Sequence, residues 1–142
     1  MNKLLAVGIG SVLACGIAGM SFAQTMAAQN EIRTAHTHAK FAAEAATVAV
    51  SHVHLHHVIN CLAGPNGAGY DAKQADPCKG QGNGAIPDSA ADHALHARLE
   101  SVLAEARAAL KTNTLASAHR DAAKIAADLQ AAENAKTGDS SH

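Results

Sequence analysis

The stretch His52–His57 contains four histidines, and Cys61 follows it one helical turn later. If the stretch is helical, His52 and His56 share one face, whereas His54 and His57 share roughly the opposite face. Two imidazoles four residues apart can chelate one metal ion, and neutral imidazole suits copper(II), zinc and nickel. The stretch therefore predicts a metal site that holds copper or zinc.

A second pair of histidines, His93 and His96, lies three residues apart at the start of a later predicted helix. Both are candidate metal ligands, because this spacing places them on one helical face. A structural or surface role is the alternative for every histidine, and His52 is also a candidate for a hydrogen-bonded core position. No stretch matches a zinc finger or an HExxH helix, so the pattern indicates metal binding without naming a reaction.

Residues 1–23 have the features of a secretory signal peptide. Lys3 provides the positive start, an apolar run extends to Met20, and Ser21-Phe22-Ala23 has small residues at both positions that signal peptidase reads. We therefore expect the mature chain to begin at Gln24, in the periplasm and without a stable membrane span.

Two other fates of this segment stay open. The segment could be retained as a membrane anchor, although its apolar run is glycine-rich and at the short limit for a span. Val12-Leu13-Ala14-Cys15 loosely resembles a lipobox, so lipoprotein anchoring at Cys15 is a minor alternative.

Cys61 and Cys78 are the two cysteines that remain after removal of the signal. Because an exported protein folds in an oxidising compartment, we expect them to form a disulfide. Closing a loop of this size stabilises the fold by roughly 3 kcal/mol in the chain-entropy model. If the cysteines are reduced, His57 and Cys61 lie one helical turn apart and would suit copper(I) or zinc.

An all-α, up-and-down helical bundle is the predicted fold. The segment from Ala28 to Leu62 contains no proline or glycine, and apolar positions recur along it every three or four residues. This seam comprises Phe41, Ala45, Val48, His52, Leu55, Ile59 and Leu62. A straight helix gives a bundle of three long helices, whereas a bend at the β-branched residues Thr47, Val48 and Val50 gives four.

Residues 63–87 form the predicted loop, since they contain six of the eleven glycines and all three prolines. The next helix is expected to begin at Asp88-Ser89, where Ser89 and Asp92 match a capping box. The turn Thr112-Asn113-Thr114 separates it from a last, antiparallel helix that ends near Ala135.

The 142 residues allow one small domain, predicted over residues 24–135, with a disordered tail at residues 136–142. The 11 basic residues nearly balance the 12 acidic ones, so no basic patch suggests a nucleic-acid partner. Alanine is abundant and aromatic residues are scarce, and a long first helix would overhang this thin core, which favours a homodimer. No residue stands in a nucleophile–base motif, and we do not expect an enzyme.

Three histidine-bearing stretches together resemble the small periplasmic metal-binding proteins of the histidine-rich helical-bundle kind. They are His36-Thr37-His38, His52-Val53-His54-Leu55-His56-His57 and Ala118-His119-Arg120-Asp121. The resemblance covers the helical parts of the chain, and it implies the binding of divalent ions by a buffer or scavenger. The glycine-rich loop and the cysteine pair depart from that pattern.

Two further functions stay open. Helical bundles can host haem, which would be bound non-covalently because the chain has no CxxCH motif, with histidine or Met26 as axial ligands. Alternatively, a structural or interaction module could sense pH, because the histidine stretch would gain several like charges below about pH 6.

Overall fold

The structure is a computed structural model that describes residues 17–135 of the chain. Its helices are α1 (Ile17–Ala43), α2 (Val48–Ala63), α3 (Ala85–Asp88), α4 (His93–Ala109) and α5 (Leu115–Asn134). The described residues contain no strand, which confirms the all-α class. The helix count differs from both predicted alternatives, because the four long helices are accompanied by the short α3.

The predicted signal peptide and tail lie largely outside the described residues. Residues 1–16 and 136–142 are not described, so signal cleavage, lipidation at Cys15 and disorder of the tail stay predictions. α1 begins at Ile17 and continues through the predicted cleavage point after Ala23. None of the helices in the described part of the chain combines the length and the apolar character that a membrane crossing needs.

The chain reverses direction between α1 and α2, so the straight first helix is wrong and the bent alternative is closer. Only four residues separate Ala43 from Val48. Thr47 ends this link as the N-cap of α2, because its hydroxyl accepts a hydrogen bond from the backbone N–H of Val50 at 3.2 Å. A link this short makes α1 and α2 antiparallel neighbours, and the two helices pack against each other.

The predicted apolar seam does not run continuously across the two helices. Leu55, Ile59 and Leu62 are buried as expected, but Phe41 is 47% exposed. Because α1 and α2 are antiparallel, heptad spacing no longer keeps residues before and after Thr47 on one face. Phe41 therefore lies at the surface, whereas Leu55, Ile59 and Leu62 lie in the core.

Alanine forms much of the contact surface of α1. Ala35, Ala39 and Ala42 are fully buried on this helix, which packs against both α2 and α5. Small side chains let helix axes approach closely, but each methyl group contributes little burial free energy. The larger core side chains are Ile32, Leu55, Ile59, Leu62, Leu99, Ile125 and Leu129. The core is therefore thin, as the composition indicates.

α4 begins later than the sequence predicts. It starts at His93, and the carboxylate of Asp92 caps it by accepting a hydrogen bond from the N–H of Leu95 at 3.0 Å. The predicted cap at Ser89 is wrong, because its hydroxyl donates to the carbonyl of Ile86 at 2.9 Å and so closes the short α3.

The long loop spans residues 64–84, because α3 occupies the end of the predicted loop. Cys61 and Cys78 form a disulfide with a Cα–Cα distance of 5.2 Å, which confirms the predicted bond. Fully buried Asn60 also holds the loop, since its amide donates to the carbonyl of Asp71 at 3.0 Å and its oxygen accepts from the Asp71 N–H at 2.8 Å. Polar backbone groups of the loop thereby find partners at the end of α2.

Glu31 of α1 forms a hydrogen bond with Gly84, the last residue of this loop. Its Oε1 atom accepts a hydrogen bond from the N–H of Gly84 at 2.8 Å, while Oε2 is buried without a hydrogen-bond partner. Burial, with the nearby negative charges of Asp88 and Asp76, raises the pKa of Glu31 to about 7. The folded protein therefore keeps the Glu31 proton at pH values where the unfolded chain has released it.

We expect Glu31 to make the folded protein less stable as the pH rises from 4.5 to about 7. In this window the folded protein holds the proton more tightly than the unfolded chain, so a rising pH favours unfolding. The raised pKa corresponds to about 3 kcal/mol of unfolding free energy. Glu31→Gln should remove this pH dependence, because glutamine mimics the protonated carboxyl group.

The measurement is the unfolding free energy from urea denaturation at about pH 5 and about pH 8. The difference between variant and wild type cancels the contributions of other titrating groups. Glu44→Gln is the matched control, because Glu44 is exposed, and it should keep the wild-type pH dependence. An identical pH dependence in wild type and Glu31→Gln would contradict the prediction.

Candidate metal centre

Three histidines from two helices converge where α1 and α2 meet. His38 lies near the end of α1, and His54 and His57 lie on α2. The Nδ1 atom of His38 is 3.2 Å from Nδ1 of His54 and 3.2 Å from Nδ1 of His57. One ring nitrogen of each residue lies within 4.8 Å of those of the other two, so this histidine trio could hold one metal ion.

The antiparallel packing of α1 and α2 positions the trio. His54 and His57 are three residues apart and therefore share one face of α2. Leu55 and Val58, which follow each of them, are fully buried and fix the rotation of α2 about its axis. His38 stands on α1 at the level of this face, and its ring contacts both α2 rings.

The spacing of the trio nitrogens suits a tetrahedral metal ion. Zinc–nitrogen bonds of about 2.0–2.1 Å place two ligand atoms of a tetrahedral site about 3.3 Å apart. Both Nδ1–Nδ1 distances to His38 are 3.2 Å, so two of the three ligand pairs already have about the separation of two ligands on one ion. Coordination through Nδ1 also leaves the Nε2–H of each ring free to donate a hydrogen bond.

Hydrogen bonding alone accounts less well for this arrangement. Nδ1 of His38 carries either one proton or one lone pair, so only one of its two 3.2 Å contacts can be a well-directed hydrogen bond. A metal ion instead takes a lone pair from each of three deprotonated Nδ1 atoms and leaves none of them unpaired.

Burial and crowding lower the pKa values of two trio residues, His38 and His57. Burial lowers the pKa of His38 to about 4, and the proximity of His57 and His54 contributes to the same shift. Burial also lowers the pKa of His57, with contributions from His54 and His56. Neutral imidazole, the form that binds metals, therefore dominates in His38 and His57 at pH 7.

Exposed apolar side chains border the trio. The ring centroid of Phe41 lies 5.6 Å from that of His38 and 5.3 Å from that of His54. Val50 and Val53, which are 44% and 41% exposed, lie one turn before the two trio residues of α2. We name Phe41, Val50 and Val53 the apolar rim. The trio, whose three residues are partly buried, therefore lies near the surface beside this partly exposed rim.

The structure does not bring His52 and His56 into the trio. Nδ1 of His56 lies 3.7 Å from a carboxylate oxygen of Asp71 in the long loop. The Nε2 atom of His52 is buried and has no hydrogen-bond partner. Of the four histidines predicted as ligands in this stretch, the structure gathers His54 and His57, and the role of the other two stays a prediction.

His93 and His96 lie on α4, in the other half of the bundle. His93 is exposed. Nδ1 of His96 lies 2.9 Å from the carbonyl oxygen of Ile86, and its Nε2 lies 3.6 Å from a carboxylate oxygen of Glu100. Within residues 17–135, neither belongs to a cluster of three metal-ligating side chains, and their assignment as ligands stays a prediction.

The sequence prediction named no ligand at His38. On a straight helix His38 would lie about 24 Å from His54 along the axis, too far for a shared ion. The chain reversal before Thr47 removes this separation. The signal that could have found His38 is the β-branched cluster with Thr47 as a helix cap, because a helix start at this point implies an antiparallel pair.

Cys61, Asp76 and Cys78 form a second cluster whose potential ligand atoms lie as close together as those of a metal site. Its two cysteines, however, are not available as metal ligands. Both sulfur atoms are in the disulfide and lack the thiolate that binds metals. Asp76 instead orders the loop, because its Oδ1 accepts a hydrogen bond from the N–H of Cys78 at 3.0 Å. The same disulfide removes Cys61 as a partner of His57 in the oxidised protein.

No known protein family matches the chain, and no curated protein or solved structure is significantly similar to it. The class that the fold and the site define is an all-α protein with a candidate three-histidine metal centre. What the protein does is therefore inferred from the geometry of its own residues.

Proposed function

We propose that this chain is an exported, non-enzymatic metal-binding protein that buffers or delivers copper or zinc in the periplasm. One observation carries the proposal: Nδ1 atoms from two helices converge at spacings that suit a metal ion. Local sequence spacing does not create such a cluster by itself, because His38 and His54 are 16 positions apart. The fold must hold the three rings together.

Copper(II) and zinc are the two ions that the donor set favours. Among divalent first-row ions, copper(II) binds most tightly to a site of imidazole nitrogens. Zinc favours the tetrahedral arrangement that the 3.2 Å spacings fit. A buffer or carrier also needs an accessible site, and the partly exposed trio meets that need.

The disulfide supports the proposed compartment. Disulfides persist in oxidising compartments such as the periplasm and are rare in the cytosol. Cys61 and Cys78 are bonded, and residues 1–23 match a signal peptide. In the periplasm the trio would meet metal ions outside the cytoplasm, where a binding protein can limit or direct their supply. The predicted homodimer stays a prediction.

The proposal is tested by calorimetric titration of the untagged, exported protein with copper(II) and with zinc. We expect one ion per chain with a dissociation constant below about 100 μM. Changing His38, His54 and His57 together to alanine should abolish this binding, because it removes all three ligands.

The matched control changes His36, a histidine of α1 that lies outside the trio and faces Glu133, to alanine and should keep the wild-type affinity. Circular dichroism of both variants checks that the helices remain folded. The proposal would be refuted if wild type bound neither ion, or if the control lost as much affinity as the trio variant.

A further inference from the structure

We propose that a metal ion held by the histidine trio keeps one coordination position open at the apolar rim, beside Phe41, and that this position takes a small anionic ligand from solution. This inference rests on the metal binding proposed above. The bound ion would be accessible to ligands from solvent, because the protein would not occupy all of its coordination positions.

The trio supplies three protein donors to a bound ion. The cluster contains three ring nitrogens, and no other His, Cys, Asp or Glu of residues 17–135 joins it. His56, the next histidine along α2, lies against Asp71 at 3.7 Å. Structural zinc sites are closed by four protein ligands, whereas a site with three protein ligands leaves a position for water or another ligand.

The open coordination position lies on the surface side of the trio. Leu55 and Val58 are fully buried, so the inner side of α2 next to the trio is filled by the core. The rings of His38 and His54 contact Phe41, which is itself 47% exposed. Phe41 therefore borders two of the trio rings at the surface, and we place the open position on this side because the core fills the other side.

The ligand that fills the open position is expected to be an anion. All three donors are imidazole nitrogens, which bind a metal ion in their neutral form, and no carboxylate belongs to the cluster. A divalent ion at the trio would keep its full charge, and partial burial strengthens its attraction for an anion compared with bulk water. Small anions such as hydroxide, chloride or azide are thus the class of ligand that completes the site.

An open position also gives a route for delivering the ion. An incoming donor can bind the metal first, and the histidines can leave one after another, so the ion is never released bare.

The probe is cobalt(II), whose visible spectrum depends on its coordination number, bound to the exported protein, with azide as the external ligand. Loss of the cobalt spectrum in the alanine variant of the trio establishes that the trio holds the ion. We then expect azide to change the spectrum saturably, with one azide per cobalt.

Phe41→His is designed to close the open position from the rim. The Phe41 ring contacts those of His38 and His54, so a histidine here adds an imidazole beside the trio that can serve as a fourth ligand. We expect cobalt binding to be kept and azide to bind at least tenfold more weakly. Lys40→His is the matched control, because it adds a histidine at the neighbouring exposed position and should keep the azide response.

The outcomes separate this inference from the proposed function. A spectrum that azide does not change, in protein that binds cobalt through the trio, would overturn the open position and leave metal binding intact. A full azide response in Phe41→His would overturn its placement beside Phe41. If cobalt, zinc and copper all fail to bind in calorimetry, the proposed function falls and this inference falls with it.

Discussion

His38→Gln is expected to weaken zinc and copper binding by about 100-fold or more, although His38 stands on a different helix from the other two ligands. Changes to groups that merely orient a metal ligand already cost about 10–100-fold in affinity. Nδ1 of His38 lies 3.2 Å from Nδ1 of both His54 and His57, so its loss leaves only a pair on one helix. Affinity is measured by competition with a chromophoric chelator.

His36→Gln is the matched control for this experiment. His36 also lies on α1, but its Nδ1 faces a carboxylate oxygen of Glu133 at 3.7 Å instead of the trio. Its removal should change the metal affinity by less than about twofold. If His38→Gln binds like wild type while a variant of His52 or His56 loses the ion, the metal lies in the stretch predicted from sequence and not in the trio.

The double variant Cys61→Ala, Cys78→Ala is expected to lose about 2–5 kcal/mol of unfolding free energy, and its Tm should fall by roughly 10 °C or more. The disulfide joins residues 17 positions apart, and Cys61 is fully buried. Alanine is chosen because serine would place hydroxyl groups in the core. A thin, alanine-rich core has little stability in reserve to offset the loss.

The same double variant should bind metal more weakly than wild type. Cys61 lies one turn beyond His57, so loss of the bond lets the last turns of α2 open more often. Thermal unfolding is followed by circular dichroism, and metal binding is compared at a temperature where both proteins are folded. Two titratable thiols in the native exported protein, or a Tm within about 2 °C of wild type, would contradict the prediction.

Features that depend on short stretches of sequence could be predicted. The turn Thr112–Thr114 separates α4 from α5 as expected, because Thr114 is a good helix cap and its hydroxyl accepts a hydrogen bond from the N–H of Ser117. The pair Cys61 and Cys78 could be predicted from their number and the expected compartment. These signals act over a few residues or follow from simple counting.

Features that depend on competition between local signals could not be predicted. Ser89 and Asp92 are both good helix caps, and only the packed structure shows that Ser89 closes α3 while Asp92 starts α4. The apolar residues before and after Thr47 follow helical spacing, which favoured one continuous helix. Thr47 is instead the N-cap of α2, and the chain reverses direction there. His38 was not predicted as a ligand, because its partners His54 and His57 are near in space and distant in sequence.

The long loop carries an exposed lysine, Lys73, between the two bonded cysteines. A protease that cuts after Lys73 would separate α1 and α2 from the three later helices, yet the bond between Cys61 and Cys78 would keep the fragments covalently joined. All three trio histidines lie on the first fragment. The cleaved protein would persist as a two-chain molecule, with the histidine trio on one chain and helices α3, α4 and α5 on the other, until a reductant broke the disulfide.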